Sequence, residues 1–170
     1  ANHSHTYADM DGKTTFISRG AEIGASRGLL LVNAAGNSGN DSWKYIGAPA
    51  DAPSVISVGA VDSKGDIAFF SSFGPTSDGR IKPEILGQGY NPSLIDYTTG
   101  LVKTTSSGTS FSSPIMAGLI ACLNQNEGFL LKSSGKENSS EFNFNTFLKQ
   151  AVYESADKYN NPLDQYGYGI

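Results

Sequence analysis

The chain has little charge, one cysteine and two histidines in 170 residues. Charged residues make up 16%, against roughly 25% in an average soluble domain. That argues against disorder and against a coiled coil. Neither sign dominates: 12 Lys and Arg against 16 Asp and Glu leave a formal charge of −4, with no basic run. Such a chain lacks the electrostatic footprint of a nucleic-acid binder. The lone cysteine, Cys122, excludes an intrachain disulfide framework. Long hydrophobic runs are also missing. The most apolar stretch, Pro114 to Leu123, has ten residues. It suits a core helix and falls short of the ~20 needed to span a bilayer. The N-terminal Ala1-Asn2-His3-Ser4-His5 lacks Met, a basic region and an apolar region, so it reads as a processed end or a fragment and not as a signal peptide.

Glycine, by contrast, is abundant: 20 of 170, about 12% against a typical ~7%. Together with 38% apolar residues this indicates a compact, loop-rich protein with a buried sheet. The length suits one domain. No internal repeat or low-complexity linker interrupts it.

Local patterns predict the elements. Phe16, Ile17, Ala21 and Ile23 at three-to-four spacing, with Gly28 as a stop, predict a helix from about Thr15 to Arg27. The nearly continuous apolar run Leu29 to Ala35 predicts a strand buried on both faces, as in a parallel sheet. Gly36 to Asp41 is turn chemistry. Ser54 to Val61 is a second strand; Ile67 to Phe70 and Ile81 to Leu86 are shorter candidates, the latter broken by Pro83. A helix from Thr109 to about Asn124 would present Ile115, Met116, Leu119, Ile120 and Leu123 as its apolar face. Gly118 within it costs ~1 kcal/mol relative to alanine, which points to close packing there. Cys122, on the same helix, is expected to be a buried, inert core cysteine. The polar segment Leu131 to Ser140 reads as a solvated loop. A last helix, Asn143 to Glu154, would bury Phe144, Phe147, Leu148, Ala151 and Val152. Helix, strand, loop, strand, helix in this order implies α/β with a parallel sheet.

Gly108-Thr109-Ser110-Phe111-Ser112-Ser113-Pro114 carries the chemistry. A small, flexible loop leads directly into an apolar helix, which places Ser110 on the first turn. There its hydroxyl lies beside free backbone N–H groups and the positive end of the helix dipole. An oxyanion forming on a carbonyl attacked by Ser110 would be stabilised by those groups. Locally, Ser110 or Thr109 reads equally as a simple helix cap.

Gly108-Thr109-Ser110 followed by Pro114 resembles the nucleophile motif of the subtilisin-like serine proteases, and three further segments, with a closing fourth, resemble the same family in the same order. Ala34-Ala35-Gly36-Asn37-Ser38-Gly39 resembles its oxyanion loop, and Ala48-Pro49-Ala50 with Val55 to Ala60 resembles the strand that follows. Phe70-Ser71-Ser72-Phe73-Gly74-Pro75 with Gly79 to Glu84 resembles the run before its serine loop, and Tyr166-Gly167-Tyr168-Gly169 its closing Gly-x-Gly. The resemblance covers roughly Leu29 to Ile170. It implies an α/β fold, a partial doubly wound parallel sheet with flanking helices, as one partial domain over residues 1–170: the C-terminal part of a subtilisin-like catalytic domain. It implies Ser110 as nucleophile and Asn37 as oxyanion donor alongside the Ser110 amide. Ala34, Ala35 and Gly36 would wall the pocket for the substrate side chain, and Gly108 and Thr109 would also bind substrate. A turn asparagine is the plainer reading of Asn37.

The family's base is a histidine on the order of 150 residues before the serine, with an aspartate further upstream. Only 109 residues precede Ser110. His3 and His5 lack the following Gly-Thr; they read as an exposed loop or a weak metal pair. Asp9 and Asp11 lack the aspartate's context, and Asp11-Gly12 reads as a turn. Two departures are small: Gly87-Gln88-Gly89 replaces an Ala-Pro-Gly turn, and Phe111 replaces a common methionine. The expectation is therefore a fragment of a serine endopeptidase that lacks the base and is inactive alone. The alternative is a non-catalytic domain used for binding or scaffolding. The expected partners are a peptide or protein substrate, the missing N-terminal part of the same domain, and further copies of the chain through self-association. No nucleic acid, membrane span, cofactor or metal is expected. An extracytoplasmic or secreted location is implied by the resemblance.

Overall fold

The computed structural model describes residues 5–126 and 143–170. His3 and the segment Leu131 to Ser140 lie outside the described residues. The Thr15 side chain accepts from the Ser18 amide and caps helix α1, Phe16–Ser26. Gly28, at φ +91°, ends the run, because that backbone region suits a residue without Cβ. The start of α1 is tied to the body by the buried Asp51 carboxylate. It accepts from Ser18 Oγ at 2.5 Å and from the Gly12 amide at 2.7 Å.

Three strands, β1 (Val32–Ala34), β2 (Ile56–Val61) and β3 (Ile85–Gln88), form a parallel sheet in that spatial order. Val32 pairs with Ile56, and Val58 with Ile85. All of β2 is buried, as expected of a central strand. A small hairpin, β4 (Leu94–Ile95) and β5 (Val102–Lys103), follows. Helix α2, Thr109–Asn124, packs across all three parallel strands, and α3, Phe144–Ser155, packs against α2. The core joins Ile56, Val58 and Ile85 of the sheet to Ile120 of α2 and to Leu148, Val152 and Tyr153 of α3. The α/β architecture with flanking helices is thus as expected.

Several local expectations need correction. Strand β1 is half-buried, not buried on both faces, because it is the sheet's edge: among the described residues no strand lies beyond it. The predicted strand Ile67 to Phe70 reduces to one antiparallel bridge between Val61 and Ile67. Strand β3 starts later than expected, after Pro83 and a buried ion pair. Helix α2 has the predicted bounds, but only part of its expected face is covered. Ile120 is buried and Met116 partly so, while Ile115, Leu119 and Leu123 are exposed. A helix apolar on most sides needs neighbours on most sides, and the sheet and α3 cover only some of them. Gly118 and Cys122 fall on the uncovered side. Among the described residues nothing outside its own helix lies within 4 Å of a Cβ built on Gly118, and Cys122 is exposed, so neither is a core residue here.

The ends of β2 and β3 away from Ser110 are pinned by charge. Lys82 and Glu84 form a buried ion pair at 2.6 Å. Lys82 Nζ also donates to the Ala52 and Val55 carbonyls, at 3.0 and 2.7 Å. Glu84 Oε2 accepts from the Ser57 amide and hydroxyl, at 2.7 and 2.6 Å. The closing segment runs beside them: the Tyr168 amide donates to the Glu84 carbonyl and the Leu86 amide to the Gly169 carbonyl. A Cβ at Gly167 would sit 2.0 Å from the Pro83 carbonyl oxygen, so only glycine permits this approach.

Candidate active site

The segments singled out in the sequence converge beyond the C-terminal ends of the parallel strands. Loop 34–37 leaves β1, Gly89 follows β3, and Gly108 opens α2. Ladder-like bonds join them: the Gly108 amide donates to the Gly89 carbonyl at 2.8 Å, and the Gly89 amide to the Val61 carbonyl at 2.9 Å. A Cβ at Gly89 would fall 2.2 Å from Ser112 Oγ and 2.7 Å from the Gly108 carbonyl oxygen. This glycine, in the segment that departs from the family's Ala-Pro-Gly, lets the serine loop come close.

Gly108 occupies the N-cap position of α2, so neither Thr109 nor Ser110 is the cap. Thr109 is buried, and it ties the two key loops together. Its amide and Oγ1 donate to Asn37 Oδ1 at 2.8 and 2.9 Å, and its Oγ1 accepts from the Gly36 amide at 3.2 Å. The backbone N–H of Thr109 can only donate, so the Asn37 atom facing it must be the oxygen. That fixes the amide's orientation and leaves Nδ2 as the outward donor. Ser110, on the first turn, is exposed. A Cβ built on Gly108 would meet Ser110 Oγ at 3.1 Å and Asn37 Nδ2 at 3.4 Å, so hydroxyl and amide flank one small space. On the first turn of α2 the Thr109 amide is taken by Asn37 Oδ1 and the Phe111 amide by the Gly108 carbonyl at 3.0 Å, and the positive end of a 16-residue helix lies there.

Around this centre, Ala35 is buried, while Ala34 and Gly36 are half-buried. Ser72, within the Phe70-Ser71-Ser72-Phe73 run, supports this loop. Its amide donates to the Gly36 carbonyl at 2.9 Å, and its Oγ accepts from the Ser38 amide at 3.0 Å. The Gly39 amide reaches the Phe70 carbonyl at 2.8 Å. The signal was present in Phe70-Ser71-Ser72-Phe73, but its physical role emerges only when loop 36–39 lies against it.

His5 lines a separate concavity of about 330 Å³ with Met10, Ile17, Trp43, Gly47 and Ala48; neither Ser110 nor Asn37 borders it. Asp9 and Asp11 act locally. Asp9 accepts from the Thr6 amide, which together with the Thr6 hydroxyl holds its carboxyl below the ordinary range. Asp11 accepts from the Lys13 and Thr14 amides, which lower its pKa likewise. Among the described residues no group of three or more His, Cys, Asp or Glu is arranged to hold a metal ion. No helix among them is long and apolar enough to cross a membrane.

The chain resembles known proteases over most of its length. It is 38% identical over 138 residues to the serine protease AprX of Bacillus subtilis (strain 168), covering 70% of this chain and 31% of that protein. It is 31% identical over 159 residues to the thermophilic serine proteinase of Bacillus sp. (strain AK1), covering 94% of this chain and 33% of that protein. Among solved structures, the prenylagaramide maturation protease PagA superposes with a TM-score of 0.64 at 28% identity, over 89% of this chain and 50% of that one. The chain thus spans about a third of the length of these two curated relatives. The Subtilase family model matches residues 1–169, and the chain belongs to that family of serine proteases.

Proposed function

We propose that the protein carrying this chain is a serine endopeptidase in which Ser110 is the nucleophile. Its Oγ attacks a peptide carbonyl. The proton passes to a histidine, oriented by an aspartate, and both are supplied by residues outside this chain. Asn37 Nδ2 and the Ser110 amide donate to the oxyanion. Ala34, Ala35 and Gly36 wall the pocket for the side chain preceding the scissile bond, and Gly108 leaves room for the substrate backbone. Thr109, being buried, acts as a positioning residue and not through direct contact. The observation that carries this reading is the shared space between Ser110 Oγ and Asn37 Nδ2 beside Gly108. The substrate is a peptide or protein, and the location is extracytoplasmic.

A serine without a base is an ordinary alcohol at neutral pH, so the 170-residue chain by itself is inactive. A fluorophosphonate probe tests both statements. The full-length protein should label rapidly at Ser110, Ser110→Ala should abolish labelling, and the chain alone should stay unlabelled. Labelling that survives Ser110→Ala would mean another nucleophile. A full-length protein that never labels would favour a binding domain that has kept the fold.

A further inference from the structure

One short run, residues 70–72, holds the backbone on both sides of Asn37. Ahead of Asn37, the Ser72 amide donates to the Gly36 carbonyl at 2.9 Å. Behind it, the Ser38 amide donates to Ser72 Oγ at 3.0 Å, and the Gly39 amide to the Phe70 carbonyl at 2.8 Å. None of these bonds involves the Asn37 side chain. That side chain is gripped separately, through Oδ1, by Thr109.

The run is itself fixed to the centre of the sheet. Ser71 Oγ accepts from the Ala60 amide of β2 at 3.0 Å, and the Ser71 amide donates to the Ala68 carbonyl at 2.8 Å. Ser71 and Ser72 are both buried, as is Ala60. The loop lies directly on this support. A Cβ at Gly36 would fall 2.8 Å from Ser72 Oγ, and one at Gly39 2.2 Å from the Ser71 carbonyl oxygen. Glycine on both flanks permits the approach but leaves the loop's own backbone permissive. The loop therefore takes its rigidity from the run beneath it.

Of the three bonds, one depends on side-chain chemistry. The bonds of the Ser72 amide and the Phe70 carbonyl belong to the main chain and survive most substitutions. The bond from the half-buried Ser38 amide needs the Ser72 hydroxyl as its acceptor. An amide deprived of its acceptor there turns toward water, because leaving it unpaired costs free energy. Ser38 directly follows Asn37, so that turn re-aims the Asn37 side chain. A displacement of about 1 Å in a catalytic arrangement can cost on the order of a hundredfold in rate.

We infer that Ser72 is a positioning residue for the Asn37 donor: it anchors the loop backbone through the Ser38 amide, while Thr109 sets the side-chain amide. The inference rests on Asn37 being the oxyanion donor proposed above, and the experiment separates the two. The full-length protein is compared with Ser72→Ala, Asn37→Leu and the double variant on one peptide substrate. Ser72→Ala should lower kcat by about tenfold with KM nearly unchanged. In the Asn37→Leu background the same change should cost less than about twofold, because the position of an absent donor no longer matters. A merely structural serine would give equal losses in both backgrounds. Hydrogen exchange at the Ser38 amide supplies a readout independent of turnover. Ser72→Ala should speed it by about tenfold or more while leaving the α2 amides unchanged. Equal losses in both backgrounds, an unchanged kcat in Ser72→Ala, or unchanged Ser38 exchange would each overturn the inference. If Asn37→Leu alone leaves kcat unchanged, the donor reading falls and the inference falls with it. In a full-length protein without turnover the Ser110 reading fails; faster Ser38 exchange in Ser72→Ala then still supports the anchor, and unchanged exchange overturns it.

Discussion

Asn37 Oδ1 receives both the amide and the hydroxyl of Thr109, at 2.8 and 2.9 Å, across 72 positions of sequence. This pair of hydrogen bonds to one oxygen fixes the orientation of the Asn37 side-chain amide. Thr109→Val keeps the β-branched shape and the amide bond to Asn37. It removes the hydroxyl and leaves the Gly36 amide without its acceptor. The kcat of the full-length protein on a peptide substrate should fall by about tenfold, corresponding to ~1.4 kcal/mol, with KM nearly unchanged. Thr109→Ser should restore most of the loss. A KM effect without a kcat effect would place Thr109 in ground-state binding instead.

Asn37→Leu preserves side-chain volume and deletes the donor. A drop of about a hundred- to a thousand-fold in kcat is expected, a magnitude taken over from the corresponding donor in the related enzyme subtilisin. Steady-state kinetics on a peptide substrate decide the matter. An unchanged kcat would return Asn37 to the role of a turn residue.

The candidate centre came from the resemblance of contiguous motifs to the subtilisin-like proteases, because locally Gly108-Thr109-Ser110 before an apolar helix reads equally as a helix start and Asn37 after an apolar strand as a turn residue. The bounds of α2 agreed with expectation because Gly108 and the apolar run after it are local signals. The burial of its faces did not, because Ile115, Leu119 and Cys122 look the same in sequence whether or not something covers them. Lys82 shows the opposite failure. A lysine in a polar-looking Gly79 to Glu84 run gives no local sign that it will be 1% exposed, since its partners Ala52 and Val55 are some 30 positions away.

The edge of β1 predicts how the chain behaves alone. Apolar grooves of about 750 and 580 Å³ flank the strand, and both include Leu29, Leu31 and Val32. Leu29 and, on α1, Phe16 and Ile23 are exposed beside them. An open edge with apolar flanks is a template for pairing with another chain. The isolated chain should therefore self-associate in a concentration-dependent way by light scattering. Leu29→Lys together with Ile23→Lys should reduce the association without changing the circular dichroism. A stable monomer at high concentration would count against this expectation.

The Lys82–Glu84 pair should behave as a charge that the fold cannot leave half-answered. Both side chains are almost wholly buried, at 1% and 8% exposure. Lys82→Met fills similar space, but strands the Glu84 carboxylate and removes the donor to the Ala52 and Val55 carbonyls. Removing one member of a buried pair costs about 3–5 kcal/mol, mostly because of the charge left behind. Glu84→Gln added to Lys82→Met removes that charge while keeping an oxygen to accept from the Ser57 amide. The double variant should therefore be more stable than Lys82→Met alone, recovering about half of the loss or more. Urea unfolding of the full-length protein and the two variants gives the comparison. If the double variant is no more stable than the single one, the cost of Lys82→Met lies in the orphaned carbonyls and in packing, not in the stranded carboxylate.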